Sequence, residues 1–127
     1  MLRILGITKA LKLLTDIRLN ALAHENVKWY WVDFNEPTEQ EAKLLAEHFH
    51  FHPLAIEDCL HRLQRPKLDH YGDTHFLVLH AIQPNTLAAE EVNLFLGNNF
   101  IVTFHSNPSK EIDEAWNRIC EQQSLWE

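Results

Sequence analysis

Glycine and proline are scarce in this chain of 127 residues, with three and five copies. So few chain breakers predict regular helices and strands joined by short connections. The sequence also lacks a run of about 18 apolar residues, so it predicts no membrane-spanning helix. Its first segment, MLRILGITKALKLL, is interrupted by glycine and lysine and has no small-residue cleavage site. We therefore expect no secretory signal.

Positive charge is in short supply as well. The chain has 11 Lys and Arg against 18 Asp and Glu, which leaves a formal charge of −7 at neutral pH. This balance opposes nucleic-acid binding, which needs clustered Lys and Arg, but permits a cation or a basic partner. Arg62, Arg65 and Lys67 form one small basic cluster. Three bases are too few for nucleic acid, so internal ion pairs or a contact with another chain are expected there.

The rest of the composition is that of an ordinary globular protein, with 46% hydrophobic and 23% charged residues. At this length a single domain over residues 1–127 is expected. Cys59 and Cys120 form no CxxC pair, which favours two free thiols in a reducing cytosol. The enzyme signatures GxSxG, Walker A and GxGxxG do not occur, so the sequence gives no support for an enzyme.

Several segments carry the residue types and turn signals of β-strands. They are Leu2–Ile7, Val27–Phe34, Thr74–Ile82, Glu91–Leu96 and Phe100–His105. Leu11–Leu14 is either the hairpin partner of the first strand or the start of a helix, and we favour the hairpin. Val27–Phe34 has apolar side chains on both sides, which is typical of a strand covered on both faces. We expect Trp31, in that strand, to be buried between the sheet and a helix layer.

Helices are predicted at four places by caps and apolar spacing. They are a short helix from Ile17 to Ala23 capped by Asp16, an amphipathic helix over Glu39–His48, a helix from Pro53 that Pro66 ends, and a helix starting at Asn107. Thr38 and Glu41 have the form of a capping box for the second of these. The third is expected to bury Ile56, Cys59, Leu60 and Leu63, and the last Ile112, Ala115, Trp116, Ile119, Cys120 and Trp126.

The order of these elements predicts an α/β domain. Consecutive strands with short turns favour a mixed, largely antiparallel central sheet, and the helices would cover its faces. The last helix reaches the end of the sequence without a closing cap, so we expect the chain to be truncated within that helix.

Three histidines alternate in the segment HFHFH. In an extended chain His48, His50 and His52 would face one side and could hold zinc. At helical spacing, residues two apart do not converge. Because the predicted helix runs into this segment, we favour His52 as a cap before Pro53 over a zinc site.

Glu57 and Asp58 are adjacent on the predicted third helix and allow two interpretations. Glu57 with His61, and Asp58 with Arg62, are ordinary i,i+4 pairs. Alternatively, the two carboxylates belong to a wet site for a hard cation such as Mg²⁺, which keeps several of its waters. Residues 33–58 hold seven carboxylates against one lysine, and such an acidic face favours cations.

A family resemblance bears on this choice. The run His52–Ile82, HPLAIEDCLHRLQRPKLDHYGDTHFLVLHAI, closely resembles the N-terminal cytoplasmic domain of CorA-type magnesium transporters. Upstream WVDFNEPTEQE and downstream EEVNLFLGNNFIVTFH resemble the same domain in the same order. The resemblance covers about residues 27–105 well, and the two ends of the chain more loosely.

The resemblance implies a three-layer α/β/α sandwich at the cytoplasmic face of the cell membrane. It implies a parent transporter that forms a pentamer and continues into a long helix and two membrane helices, so that this chain is a fragment unable to transport alone. Some relatives that share this type of domain transport zinc. The resemblance therefore does not identify which divalent cation is transported. The fragment itself is expected to be a monomer or weak dimer.

The resemblance also implies a metal role for two residues. In the family, the aspartate of the HPLxxED motif helps bind Mg²⁺ between neighbouring subunits, and the preceding glutamate serves a second, wetter site. These residues correspond to Asp58 and Glu57, and their partner carboxylates would come from the long helix. Two alternatives stay open: a stand-alone soluble metal-binding or adaptor domain without a pore, and a zinc protein that uses the HFHFH histidines.

Overall fold

The centre of the molecule is a mixed β-sheet. The computed structural model describes residues 1–15, 17–22, 26–61, 65–82 and 89–121. Within these residues seven strands form one sheet in the order β2-β1-β3-β7-β6-β5-β4. The strands are β1 (Leu2–Thr8), β2 (Leu13–Leu14), β3 (Val27–Asn35), β4 (Lys67–Tyr71), β5 (Thr74–Ile82), β6 (Ala89–Leu96) and β7 (Phe100–His105). β3 and β7 run parallel, and the other neighbouring pairs are antiparallel.

Helices lie on both faces of this sheet. They are α1 (Glu39–Ala42), α2 (Leu44–Glu47), α3 (Pro53–Leu60) and α4 (Lys110–Glu121). On one face Leu45, Ala55 and Cys59 pack against buried strand residues such as Phe34 and Phe76. On the other face Trp116 of α4 packs against Leu5 and Trp31. The predicted α/β class and its mixed, largely antiparallel sheet between helices are therefore confirmed.

The alternation within β3 produces this two-sided core. Val32 and Phe34 belong to the cluster under α1–α3, and Trp31 to the cluster under α4. Trp31 is 4% exposed, and its ring centroid lies 4.9 Å from that of Trp116. The predicted burial of Trp31 between sheet and helix is confirmed.

Several predicted helix bounds need correction. The N-terminal helix is a single 3₁₀ turn at Leu19–Ala21 preceded by Arg18, while the proposed cap Asp16 lies outside the described residues. The predicted helix Glu39–His48 is broken at Lys43, although its capping box between Thr38 and Glu41 is present.

The ends of the later helices also differ from prediction. α3 ends at Leu60, well before Pro66, and Leu60 itself is exposed rather than buried. The last helix begins at Lys110 rather than at Asn107, since the Ser109 hydroxyl accepts the Ile112 N–H. Two residues of the predicted apolar stripes, Leu63 and Trp126, lie outside the described residues.

Strand β4 was not predicted. It pairs with β5 through the two-residue turn Gly72-Asp73, in which Gly72 takes a φ of 63° that glycine adopts without steric cost. Among the described residues, strand β5 is covered by helices on one face only. Phe76 and Val78 are buried under the helices, but Leu79 on the opposite face is exposed.

Candidate functional site

Helix α3 carries the two candidate metal ligands, and its N-terminus is held in place by His52. The ring nitrogen Nδ1 of His52 accepts the N–H of Leu54 at 3.1 Å, and Pro53 occupies the first turn. The His52 ring also stacks on Tyr71, with centroids 4.4 Å apart. The predicted role of His52 as a cap is confirmed. It anchors α3 to the end of β4.

Asp58 is the less exposed of the two carboxylates. Its side chain is 20% exposed and accepts a hydrogen bond from Lys67 Nζ at 2.5 Å. Lys67 also lies 3.2 Å from Asp69, so one ammonium group serves two carboxylates. The hydrogen bond to Asp58 raises the pKa of Lys67. Sequence spacing suggested Arg62 as the partner of Asp58, but Arg62 lies outside the described residues, and the partner found here comes from β4.

Glu57 points into solvent. Its carboxylate lies 3.8 Å from His61 Nε2, and both side chains are about two-thirds exposed, at 64% and 66%. The predicted i,i+4 pair of Glu57 with His61 is therefore present. Exposed pairs of this kind contribute about 0–1 kcal/mol, so Glu57 remains available to a cation or to solvent.

The described part of the chain contains no group of three His, Cys, Asp or Glu side chains arranged to hold a metal ion. Asp58 offers oxygen ligands of the kind that Mg²⁺ prefers, but on its own it satisfies few of the six positions of an octahedral ion. The donor set therefore fits Mg²⁺ only as part of a site. The HFHFH histidines form no such group either, since His52 caps α3 and the His48 ring packs edge-on against Phe49.

A second polar site lies under α4, and sequence analysis missed it. Asp33 is fully buried and accepts hydrogen bonds from Arg3 Nε, Thr103 Oγ1 and His105 Nε2 at 2.8, 2.6 and 2.8 Å. Arg3 Nη2 also donates a hydrogen bond to Oδ1 of Asp113 on α4, at 2.6 Å. We call Arg3, Asp33, Thr103, His105 and Asp113 the buried network.

The charges of the buried network balance. His105 donates from both ring nitrogens, to Asp33 and to the carbonyl oxygen of Asn107, which requires a protonated imidazole. Burial disfavours that charge, but the hydrogen bonds to Asp33 and to Asn107 outweigh it and raise the pKa of His105. Burial likewise disfavours the Asp33 carboxylate, yet its hydrogen bonds from His105 and Thr103 lower the pKa of Asp33.

The location of Asp33 corrects the acidic face predicted for residues 33–58. Asp33 belongs to the buried network and is not exposed. The Glu41 carboxylate accepts a hydrogen bond from the Thr38 N–H and forms an ion pair with the chain's N-terminal amine. The remaining acids include Glu36, Glu39 and Glu47, which line an open groove of about 860 Å³ between α1–α2 and α3. A lone acid inside the apolar run of β3 was the available signal that Asp33 is internal.

Comparison with known proteins relates the chain to metal ion transporters. The family model described as CorA-like Mg²⁺ transporter protein matches residues 26–125. "Putative metal ion transporter YfjQ" of Bacillus subtilis (strain 168) is 45% identical over 119 residues, which span 94% of this chain and 37% of that protein. The cobalt/magnesium transport protein CorA of Thermotoga maritima is 32% identical over 79 residues, or 59% of this chain and 22% of that protein.

Solved structures share the fold. The soluble domain of CorA from Methanocaldococcus jannaschii superposes with a TM-score of 0.74 at 16% identity, covering 96% of this chain and 47% of that one. The cytoplasmic domain of ZntB from Vibrio parahaemolyticus gives 0.71 at 14% identity, covering 95% and 50%. The chain thus spans a little over a third of the YfjQ sequence and about half of each of these two domains. In the residues that the structure describes, no helix has the length and apolar character to cross a membrane.

Proposed function

Because the chain belongs to the CorA-like Mg²⁺ transporter family, we propose that it is the cytosolic regulatory domain of a divalent-cation transporter and senses the ion that the transporter carries. The observation that supports this proposal most directly is the state of Asp58. This carboxylate lies at the surface of α3 and is hydrogen-bonded to Lys67, its one described counter-charge, while its ligand set is incomplete.

An incomplete site of this kind suits a sensor that works between subunits. Mg²⁺ is strongly hydrated, so one carboxylate that already binds a lysine competes poorly for it. A second carboxylate, brought by a neighbouring subunit of a homo-oligomer, would supply both the missing ligands and a repulsion that the ion relieves. Mg²⁺ would then hold two subunits together when it is abundant, and the acidic faces would separate when it is scarce.

Lys67 gives this sensor a built-in competitor. Its ammonium group neutralises Asp58 in the absence of an ion, and the incoming cation must displace it. The proposed role of Lys67 is therefore to set the ion concentration at which the subunits close. Glu57, exposed on the next position of α3, would contribute to a wetter, more loosely bound ion nearby.

The test is the cytosolic Mg²⁺ concentration that half-inhibits transport by a full-length transporter containing this domain. Asp58→Asn removes a bridging charge, so we expect transport to persist at higher Mg²⁺ than in the wild type. Lys67→Gln removes the competitor and should move half-inhibition to lower Mg²⁺. Currents or ion uptake measured across a Mg²⁺ series would detect both shifts.

Glu114→Gln is the matched control, since it removes one carboxylate from an exposed pair with Lys110 on α4. It should leave half-inhibition unchanged. In the isolated domain Asp58→Asn should cost only about 0.2–1 kcal/mol of unfolding free energy, as for other partly exposed ion pairs. A half-inhibiting concentration equal in the wild type and Asp58→Asn would make Asp58 an ordinary surface residue.

A further prediction concerns assembly. In the family that the chain resembles, the pentamer is held together mainly by membrane helices and a long helix. The 127-residue chain alone should therefore be a monomer or a weak dimer in dilute solution. Exposed leucines on the sheet, Leu68, Leu79 and Leu96, allow weak self-association at higher concentration. Multi-angle light scattering across a dilution series is the measurement, and a stable pentamer would contradict the prediction.

A further inference from the structure

Two histidines outside the HFHFH segment meet at the surface of the β4–β5 hairpin. His70 and His75 lie directly opposite each other in the antiparallel register. Their Nδ1 atoms are 2.5 Å apart, and the ring planes are nearly perpendicular at 89°. His70 is exposed and His75 partly so. Each ring thus directs the same nitrogen at the other, in contact with solvent.

The backbone fixes this meeting. Tyr71 pairs with Thr74 across the two-residue turn on one side of the histidines, and Asp69 pairs with Phe76 on the other. A slip by one residue would move Phe76 out of the core, where it is fully buried, so the register is strongly held. The Cβ atoms of two directly opposed residues stay about 4.5–5.5 Å apart in such a sheet.

Two facing imidazole nitrogens can share a proton or bind one metal ion together. At 2.5 Å the nitrogens are close enough to share a proton. Two imidazoles bound to tetrahedral zinc at about 2.0–2.1 Å have their nitrogens about 3.3 Å apart. A small rotation of the exposed His70 ring would lengthen the distance between the two nitrogens by the required amount of about 0.8 Å. Water molecules would then supply the remaining zinc ligands.

We propose that His70 and His75 form a surface site for a borderline transition-metal dication such as Zn²⁺, Ni²⁺, Co²⁺ or Cu²⁺. Imidazole suits these ions, whereas Mg²⁺ selects carboxylate, carbonyl and water oxygens. The site is therefore separate in ligand chemistry from Asp58, and it goes beyond the proposed Mg²⁺ sensing. Its selectivity follows the usual order for nitrogen ligands, with Cu²⁺ bound most tightly and Co²⁺ less tightly than Ni²⁺.

The experiment titrates the purified 127-residue chain with Zn²⁺ or Ni²⁺ as chloride salts and follows binding by calorimetry and by the imidazole resonances in NMR. We expect one ion per chain, with the His70 and His75 resonances perturbed first. His70→Gln and His75→Gln should each weaken binding by about tenfold or more, since loss of even an outer-shell partner costs about 10–100-fold. A large excess of Mg²⁺ should not displace the bound ion.

The control is His50→Asn, which removes one exposed imidazole at a positive φ of 55° that asparagine tolerates. It should bind Zn²⁺ as the wild type does. Unchanged binding in His70→Gln and His75→Gln would overturn the proposal, and loss of binding in His50→Asn would assign the ion to the HFHFH segment instead. A thermal unfolding midpoint and an NMR spectrum like those of the wild type confirm that each variant is folded.

Discussion

Replacing Trp31 by alanine should lower the free energy of unfolding by about 3–5 kcal/mol, the range for truncation of a large buried aromatic. Trp31 is 4% exposed and packs against Trp116 and Leu5 between the sheet and α4. Its Nε1 also donates to Thr103 Oγ1 at 2.9 Å, so the substitution removes a buried hydrogen bond as well as the ring. Chemical denaturation followed by circular dichroism is the measurement.

The same substitution at Trp29 is the matched control, because Trp29 lies on the same face of β3 but is only partly buried. It should cost clearly less. Trp31→Phe keeps a ring against Trp116 and loses the donor, so its cost should fall between the two. A denaturation midpoint that Trp31→Ala leaves unchanged would mean that α4 does not cover this side of the sheet.

Asp33→Ala should be comparably damaging, at about 3–5 kcal/mol, because it leaves the partners of a buried carboxylate without their counter-charge. Arg3 and the fully buried His105 both depend on Asp33. Asp113→Ala removes the other carboxylate bound to Arg3, but that side chain is 49% exposed, so the cost should be about 0–1 kcal/mol. Equal effects of the two substitutions would contradict the role given to burial.

The buried network also predicts how stability depends on pH. The pKa of His105 is raised on folding, so its contribution is complete below about pH 6.5 and is lost as the pH rises through the raised value. The pKa of Asp33 is lowered, so its contribution is complete above about pH 3.9 and is lost as the pH falls through the lowered value. The network therefore stabilises most at mildly acidic pH. In Asp33→Asn the loss of stability on the alkaline side should flatten in denaturation curves measured from pH 5 to 9.

Sequence patterns predicted those features that depend on neighbours along the chain. Alternation in β3 located Trp31, and local hydrogen-bonding chemistry identified both the capping box of Thr38 with Glu41 and the cap formed by His52. Strand β4 was missed because KLDHY is polar and alternates weakly, and it is a strand because β5 pairs with it. Its existence depends on a partner that propensity does not describe.

The candidate sites show the same limit. The i,i+4 rule considers only one helix, so it could not identify Lys67, which reaches Asp58 from a strand. The predicted partner Arg62 lies outside the described residues, so that pair stays a prediction. Counting charges along the chain groups Asp33 with the surface acids. Such a count contains no information about β7, which places Thr103 and His105 beside Asp33. The identity of Asp58 and Glu57 as candidate ligands came from the family resemblance, and their metal role remains a prediction.

The parallel pairing of β3 with β7 has a consequence for folding kinetics. We call this parallel pair the seam. The strands on either side of the seam are joined by hairpins and short segments, whereas Trp31 of β3 and Thr103 of β7 are 72 residues apart in sequence. Closing so long a loop costs chain entropy before any contact across it forms, and non-local strand pairing is the slow element of β-rich folds. The contacts that offset this cost are the tryptophan pair and the buried network, both assembled at the seam. Substitutions there should therefore slow refolding, while substitutions in the outer hairpins mainly accelerate unfolding.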